Sequence, residues 1–419
     1  MAEVPVATQV SAATEAPAAT SAPEAVTLTV MHNWDPASGE RGKVFNEIIE
    51  EFMAANPDIK IVQEMFTDSD IPTKVETAFL AGEEPEIVLS NKFSNTMLWL
   101  ENGVIVPVTD YAKEWGLADY FLPDAVSDYT DNEGNLIAFP LEGFNWPIWY
   151  NMDAFKAAGI ELPKTQEELI SIAPTLRVAG FQPVVVGGGD WTDFNLYHLI
   201  IQGSMESTEA LDLAANGGWS KNANALKGAK LFVQMRDSGV FVDDAEGLQY
   251  ETMNAKFFEG QTAMLHGGSW SYPELPNEMQ PKIVISGFPP ASDSPQKEPV
   301  YYGSFNAKGV WITRNGDKKI DAVKSFVQWL YKPENMSRPV TESAMIPPVN
   351  NIQLDESKMD PLFVQSLGLP EGSQVLAQPE TFFAPEIIEE VSRILREAYI
   401  PNGMTAEEIL SQIDALYNQ

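Results

Sequence analysis

The sequence predicts a two-domain α/β fold in which each domain is a mostly parallel sheet flanked by helices. The chain of 419 residues is too long for one hydrophobic core, and its 44% hydrophobic content is enough to fill two. Short apolar strands alternate with helical periodicity in two successive series, and such crossovers place neighbouring strands in parallel. The strands of the second series end in glycine-rich loops, which suit sharp exits from a sheet edge.

The first series begins directly after residue 25. Its three predicted strands are VTLTVMHNW, IKIV (59–62) and EIVLS (86–90). The first intervening helix carries apolar residues at helical spacing: Phe45, Ile48, Ile49, Phe52 and Met53. The second helix is marked by Val75, Ala78 and Phe79. The order strand, helix, strand, helix, strand predicts the parallel sheet of the first domain.

The second series begins past residue 140. A capping box, Thr165-x-x-Glu168, opens a helix, and PVVVGGG (183–189) follows as a buried strand with a glycine loop. The further helices are predicted over 194–202, 223–237 and 251–259, and TAMLHGGSW (262–270) repeats the pattern of strand, glycine pair and aromatic residue. The remaining elements are strands at 282–288 and 309–314, a helix over AVKSFVQWLYK, and C-terminal helices, one opened by Thr405-x-x-Glu408.

Charge and cysteine content exclude several classes of function. With 60 acidic and 26 basic residues, the formal net charge is −34, which repels nucleic acids and anionic membrane surfaces. The chain has no cysteine, so disulfides, thiolate metal sites and cysteine nucleophiles are excluded.

Residues 1–25 have a composition unlike the rest of the chain. They consist mainly of Ala, Thr, Ser, Pro, Val and Glu without apolar periodicity, and they lack the basic start and apolar core of a signal peptide. We expect a flexible tether. No apolar run in the sequence reaches the roughly 18 residues needed to span a bilayer.

Motifs for several kinds of catalysis are missing from the sequence. Neither G-x-S-x-G nor G-x-x-x-x-G-K-[ST] occurs, and GGGDWT departs from the dinucleotide fingerprint because Thr192 replaces its last glycine. His32, His198 and His266 lie far apart without metal-binding spacing, so we expect structural roles for them, and neither a metal nor a cofactor. A pair of carboxylates placed by the fold is still compatible with glycoside hydrolysis.

Tryptophans recur beside polar residues where the predicted strands end. Ligand-binding loops leave the carboxyl ends of parallel strands, and this rule selects HNWDP, LSNKF, GGGDWTD and HGGSW. The segment GFNWP adds a further pair, Asn145 and Trp146, on backbone that Pro140 and Pro147 are expected to make irregular. Trp149 and Tyr150, just beyond, are predicted to start a strand and pack inward. A flat ring beside amides or carboxylates suits a sugar, which has an apolar face of C–H groups and a rim of hydroxyls.

Three longer segments resemble one protein family. They are WPIWYNMDAFKAAGIELPKTQEEL, FFEGQTAMLHGGSW, and KKIDAVKSFVQWLYKPENM followed by AMIPPV. They are similar to the extracellular solute-binding proteins of family 1, the maltose/maltodextrin-type receptors of ABC sugar importers. With EFMAANPDIKIV and PEIVLS, the resemblance covers most of residues 26–350.

The resemblance implies a two-lobed periplasmic-binding-protein fold of type II-like topology, with hinge crossovers and a central ligand cleft. The implied boundaries are a lipoprotein-type linker at 1–25, an N-terminal lobe of 26–137 plus 288–315, and a C-terminal lobe of 138–287 plus 316–419. Phe144, Asn145 and Trp146 would then emerge into the cleft beside the hinge.

The resemblance also implies ligand-binding positions, with Trp270 as the stacking platform. The expected ligand-binding residues are Trp34, Asp35, Ser90, Asn91, Asn145, Trp146, Trp191, Asp193, Trp270, Tyr302 and Phe305. Ser90 stands where the maltodextrin receptors offer an aromatic residue, which argues against maltodextrin itself as the ligand.

The function implied is that of an extracytoplasmic receptor, monomeric and without catalysis. The implied ligand is a disaccharide or short oligosaccharide, with monosaccharides and polyol phosphates left open, and the receptor delivers it from between the lobes to the permease subunits of an ABC transporter. Contact with the membrane is expected only through a lipid anchor on a cysteine that this sequence lacks. Two alternatives stay open: a glycosidase or lyase with a carboxylate pair in the same cleft, and the same fold binding a cationic small molecule.

Overall fold

The computed structural model describes residues 25–37, 39–92, 96–350, 352–367 and 373–418. The expected linker at 1–25 therefore lies outside the described residues, apart from its last one. The strands of the described residues are β1 (Val26–His32), β2 (Ile59–Met65), β3 (Ile87–Ser90), β4 (Phe139–Trp146), β5 (Ile148–Asn151), β6 (Gln182–Val185), β7 (Thr262–His266), β8 (Ile283–Ser286), β9 (Val300–Ile312) and β10 (Gln374–Leu376).

The helices up to the middle of the chain are α1 (Glu40–Ala55), α2 (Ile71–Ala81), α3 (Thr96–Glu101), α4 (Thr109–Glu114), α5 (Pro123–Asp128), α6 (Met152–Ala158), α7 (Gln166–Val178), α8 (Thr192–Gln202) and α9 (Ser207–Asn216). Those that follow are α10 (Ala223–Asp237), α11 (Tyr250–Phe258), α12 (Arg314–Asp317), α13 (Ile320–Leu330), α14 (Pro333–Ser343), α15 (Pro361–Leu367), α16 (Pro385–Ala398) and α17 (Ala406–Leu416). No helix within the described ranges has both the length and the apolar character needed to cross a bilayer.

Two sheets organise the chain, each forming the centre of one lobe. The first has the order β10-β9-β3-β1-β2 with β4 paired to β9, and the second has the order β6-β7-β5-β8. Strand β1 runs parallel to β2 and β3, as predicted, and β6 runs parallel to β7. Strand β9 is antiparallel to β3 and β4 but parallel to β10, and β5 is antiparallel to both of its neighbours. Both sheets are thus mixed.

The crossing from the first lobe to the second lies later than expected. Strand β4 pairs with β9 in the first sheet from Phe139 to Trp146, with register shifts on either side of Glu142. Pro147 then separates β4 from β5, which belongs to the second sheet. The bulges accommodate Pro140 within a strand, so the expected irregular loop around Trp146 is wrong. Trp149 and Tyr150 lie in β5 and are buried, as predicted.

The segment after residue 315 also differs from the expected boundary. Helices α13 and α14 pack against α1 of the first lobe: the Trp329 indole donates to Ile48 O at 3.1 Å, and Arg338 to Glu51 at 3.0 Å. Strand β10 pairs with β9, so the chain leaves the first sheet only after Leu376. Helices α16 and α17 pack against α8 and α10 in the second lobe. The assignment of all of 316–419 to the C-terminal lobe is therefore wrong for α13, α14 and β10.

Both predicted capping boxes mark helix starts, but only one is complete. At α17, the Thr405 hydroxyl accepts from the Glu408 N–H and the Glu408 carboxylate accepts from the Thr405 N–H. At α7, Thr165 caps Glu168 in the same way, whereas the Glu168 carboxylate accepts from Lys164 N–H at 2.7 Å. Each arrangement satisfies helix N–H groups that lack an intrahelical partner.

Candidate functional site

An aromatic wall, formed by Trp191, Tyr250 and Trp270, lies at the carboxyl-end edge of the second sheet. Trp191 follows the glycine loop after β6, Trp270 follows β7, and Tyr250 begins α11. The Trp191 ring stacks on Tyr250 with centroids 5.4 Å apart and lies 6.0 Å from Trp270. Trp191 is 45% exposed, which is unusual for so large an apolar ring. The wall therefore offers flat aromatic surface to a ligand.

The wall rests on rings from the crossing strands. Trp146 of β4 stacks on His266 of β7 with centroids 4.1 Å apart, and its indole donates to His266 O at 2.9 Å. It also lies 5.2 Å from Trp191 and 5.3 Å from Trp270, while being itself almost fully buried. Burial lowers the pKa of His266 to about 3, so this imidazole is neutral at pH 7. Trp146 thus supports the wall from behind.

Backbone contacts hold the Trp191 loop against the start of α11. The Gly188 N–H donates to Ala245 O at 2.8 Å, and there is no room for a side chain at this glycine. The Asp190 carboxylate accepts the backbone N–H of Tyr250. Burial raises the pKa of Asp190, and the N–H groups of Thr192 and Tyr250, which donate to its carboxylate, oppose that rise. Asp190 therefore links the loop that carries Trp191 to the start of α11 and so holds the Trp191 and Tyr250 rings together.

Hydrogen bonds fix the Trp270 ring in place. Its indole Nε1 donates to the Tyr250 hydroxyl at 2.8 Å, and that hydroxyl is 2.5 Å from the Ser271 hydroxyl. The ring folds back over Gly268, where an added Cβ would lie 2.3 Å from it. The G-x-W motif therefore has a steric cause: Gly268, two residues before Trp270, must lack a side chain for the Trp270 ring to occupy this position.

Gly268→Ala is expected to displace the Trp270 ring and break its bond to Tyr250. Because the wall is the proposed binding surface, ligand affinity should fall about 5- to 50-fold, equivalent to roughly 1–2 kcal/mol. Calorimetry with the best-binding sugar of a panel measures the affinity, and near-ultraviolet circular dichroism reports the indole environment. Gly247→Ala is the control, since an added Cβ there meets nothing within 4 Å. Equal affinities for the two variants would contradict this role for Gly268.

A polar ledge, formed by Arg41, Asp68, Asn91, Glu142 and Lys308, lies in the first lobe. Arg41 forms an ion pair with Glu142, and Lys308 with Asp68. Lys308 also donates to Asn91 Oδ1 at 2.5 Å. Lys308 and Glu142 are only 4% and 5% exposed. Burial raises the pKa of Glu142, whereas the charges of Arg41 and Lys308 oppose that rise.

The ledge continues through neighbouring loops of the first lobe. Asn33, after β1, donates to Asp68 at 2.7 Å. The Asp128 carboxylate accepts from the Ser304 hydroxyl and the Phe305 N–H, both at 2.7 Å. The amides, carboxylates and hydroxyl gathered here are the groups that exchange hydrogen bonds with sugar hydroxyls.

Two observations connect the wall with the first lobe: the Phe144 ring of β4 lies 6.1 Å from the Trp270 ring, and charges from both sides act on Glu274. Partial burial raises the pKa of Glu274, which ends the turn that carries Trp270, and the charge of Glu251 adds to the rise. Asn254 and the charge of Arg41 act in the opposite direction. Arg41 belongs to the ledge, so Glu274 on the wall side lies within electrostatic reach of the first lobe.

The structure brings some of the expected ligand-binding residues together. Trp191 and Trp270 form the wall, with Trp146 behind it, and Asn91 belongs to the ledge. Phe305 is partly exposed and lies against Gly143 beside the ledge.

Three other expected positions in the first lobe have contacts within the protein, and Trp34 lines a cavity beside the ledge residue Arg41. Trp34 is 9% exposed and packs edge-on against Phe45 at 4.8 Å, and Asp35 accepts from the Ala37 N–H at 2.8 Å. Ser90 is buried where the Trp311 indole donates to its carbonyl at 3.0 Å.

Three more of the expected residues are buried around the crossing strands and the second lobe. Asn145 donates to Ser366 O at 2.9 Å, and the Tyr302 hydroxyl donates to Gln202 at 2.7 Å. Asp193 lies in the first turn of α8 with no exposed surface. The structure does not bring these three side chains to the surface of the wall or the ledge.

Several residues of the cleft were missed from the sequence. Asp68 lies at the carboxyl end of β2, and the strand-end rule applied to that loop selects it. Tyr250 begins a helix and Glu142 lies inside a strand, so no strand-end signal marks them. Lys308 and Arg41 reach the ledge from β9 and α1, which only the tertiary structure reveals.

Known proteins resemble this chain in both sequence and fold. The family model for bacterial extracellular solute-binding proteins matches residues 36–337. The chain belongs to this family. The Escherichia coli (strain K12) sn-glycerol-3-phosphate-binding periplasmic protein UgpB is 25% identical over 350 residues, which cover 76% of each chain.

Solved structures of similar proteins share the whole fold of this solute-binding protein. A probable secreted solute-binding lipoprotein from Streptomyces coelicolor superposes with a TM-score of 0.82 at 28% identity, covering 95% of this chain and all of that one. A chitin oligosaccharide binding protein superposes with a TM-score of 0.80 at 22% identity, covering 94% and 98%. The predicted α/β, two-lobed architecture is thereby confirmed.

Proposed function

We propose that this solute-binding protein is a sugar receptor of an ABC importer and holds a disaccharide or short oligosaccharide between the aromatic wall and the polar ledge. The observation that carries the proposal is the open Trp191 ring, stacked on Tyr250. The amides and carboxylates of the ledge in the first lobe complement it. Stacking on one face and hydrogen bonds on the other match the two kinds of surface of a sugar. Three adjacent rings suit more than one sugar unit.

The mechanism we propose is hinge closure. A sugar bound to one lobe makes additional contacts with the other and so favours the closed state, which the permease recognises. The protein acts as a monomer on the outer side of the cytoplasmic membrane, tied to it through a lipid anchor and the 1–25 linker. The Streptomyces coelicolor relative, described as a secreted lipoprotein, supports this placement.

The test is a thermal-shift screen of the purified protein against mono-, di- and oligosaccharides, with polyamines as a contrast set, followed by calorimetry. A ligand present at many times its dissociation constant should raise the melting temperature by several degrees. Stabilisation by a polyamine alone would replace the sugar by a cation. Incubation with labelled oligosaccharides addresses catalysis, since release of product with turnover would make the protein a carbohydrate-active enzyme.

Trp270→Ala is expected to weaken sugar binding by about 1–3 kcal/mol, or roughly 5- to 150-fold, through lost stacking and lost burial. Calorimetry against wild type measures the change. Phe382→Ala is the control, because Phe382 is an exposed ring (43%) outside the wall, on a segment that packs against α9. Unchanged affinity in the Trp270 variant would remove this ring from the site.

A further inference from the structure

We infer that the cleft accepts uncharged saccharides and excludes phosphate-bearing ones, because its cations are already committed to the protein and its remaining charges are negative. This inference rests on the proposed function and narrows the class of sugar. It separates this chain from the curated relative that is named for binding sn-glycerol 3-phosphate.

The positive groups of the ledge already have protein partners. Arg41 uses one guanidinium nitrogen on Glu142 and another on Ser343 O at 2.7 Å. Lys308 is bound to Asp68 and Asn91 and is 4% exposed. A phosphate would have to compete with Glu142 and Asp68 for these cations, and Glu142 and Lys308 are buried, so separating either from its partner is strongly unfavourable.

A third cation close to the ledge is committed in the same way. Lys92 follows Asn91 in the chain and donates to Asp128 O. Burial lowers the pKa of Lys92, and the Asp128 charge opposes that change. The ammonium therefore has a protein acceptor already and little exposed charge to offer an anion.

The wall side contributes carboxylates. Glu274 and Glu251 are both exposed and close enough for the charge of one to raise the pKa of the other. Asp190 precedes Trp191 in the chain, and the charge of Glu251 raises the pKa of the Asp190 carboxyl as well. His266, behind the wall, has its pKa lowered to about 3 by burial and adds no positive charge at pH 7. The phosphate group of a sugar stacked on Trp270 would thus lie near carboxylates. No cation among the residues of the wall and the ledge that the structure describes is free to pair with it.

Repulsion between a ligand phosphate and the carboxylates of Glu251 and Glu274 is expected to weaken binding about 100-fold at low ionic strength. The effect should be smaller at high salt. The measurement is calorimetry with matched pairs: glycerol and sn-glycerol 3-phosphate, glucose and glucose 6-phosphate, trehalose and trehalose 6-phosphate. We expect each phosphate to bind much more weakly than its neutral partner wherever the neutral partner binds. A phosphate that binds as tightly as its partner, or more tightly, overturns the inference while leaving sugar binding intact.

The double variant Glu251→Gln/Glu274→Gln tests the cause. Its ratio of neutral to phosphate affinity should fall about tenfold towards unity. Glu389→Gln/Glu407→Gln changes the net charge equally on α16 and α17 and should leave the ratio unchanged. An unchanged ratio in the first variant would overturn the electrostatic cause. Binding of sn-glycerol 3-phosphate without binding of any neutral sugar in the full panel would overturn both the inference and the proposed function. Absence of binding by all neutral sugars and all phosphates would also overturn both.

Discussion

Trp146→Ala should lower the free energy of unfolding by about 3–5 kcal/mol, the range typical of replacing a fully buried large aromatic residue. Trp146 is 2% exposed, stacks on His266 at 4.1 Å and donates to His266 O. Its loss would leave a cavity between β4 and β7, together with an unpaired buried carbonyl. Urea-induced unfolding at pH 7, followed by circular dichroism, measures the change.

Trp191→Ala is the matched control for this prediction. Trp191 lies only 5.2 Å from Trp146, yet its ring is 45% exposed, so removing it should cost at most about 1 kcal/mol of stability. Its sugar affinity should nevertheless fall, because the removed ring is the open face of the wall. Equal losses of stability in the two variants would mean that Trp146 is not the buried support described here.

The contrast between these two tryptophans shows how far the sequence could predict the site. Both stood beside polar residues at predicted loops, and both were expected to contact the ligand. Pairing of β4 with β9, more than 150 residues away in the chain, places Trp146 in a sheet, where its ring is buried against His266. Long-range strand pairing of this kind leaves no local signal, whereas the strand-end glycine loops of Trp191 and Trp270 do.

The same distinction applies to the fold. Strands β1, β2 and β3 and the helices between them were predictable because hydrophobic periodicity and crossover order are local. The extension of β9 to thirteen residues and the packing of α13 and α14 on α1 were not. The amphipathic face of α13 is visible in the sequence, but which lobe covers it depends on where the chain crosses the hinge.

Asp193→Asn is expected to change how stability depends on pH. Burial raises the pKa of the Asp193 carboxyl to about 8, helped by the charge of Asp190 and opposed by the Phe194 N–H and by Arg396. The unfolded chain has the ordinary aspartate pKa near 4, so between these values the folded protein binds more protons than the unfolded one. Stability from this group is then complete below about pH 4 and is lost progressively as the pH rises to about 8.

The Asn variant lacks this titration, so relative to wild type it should gain roughly 2–5 kcal/mol between pH 4 and pH 8. Urea unfolding of both proteins across that range measures the difference. Asp237→Asn is the control, because the Arg236 guanidinium lowers the pKa of Asp237 and the stability from this pair is lost only as the pH falls below about 4, so its difference from wild type should stay constant between pH 4 and pH 8. If the difference in unfolding free energy between Asp193→Asn and wild type stays constant with pH, Asp193 ionises as freely in the folded protein as in water. A carboxyl without exposed surface can do so only if Arg396 pairs with it.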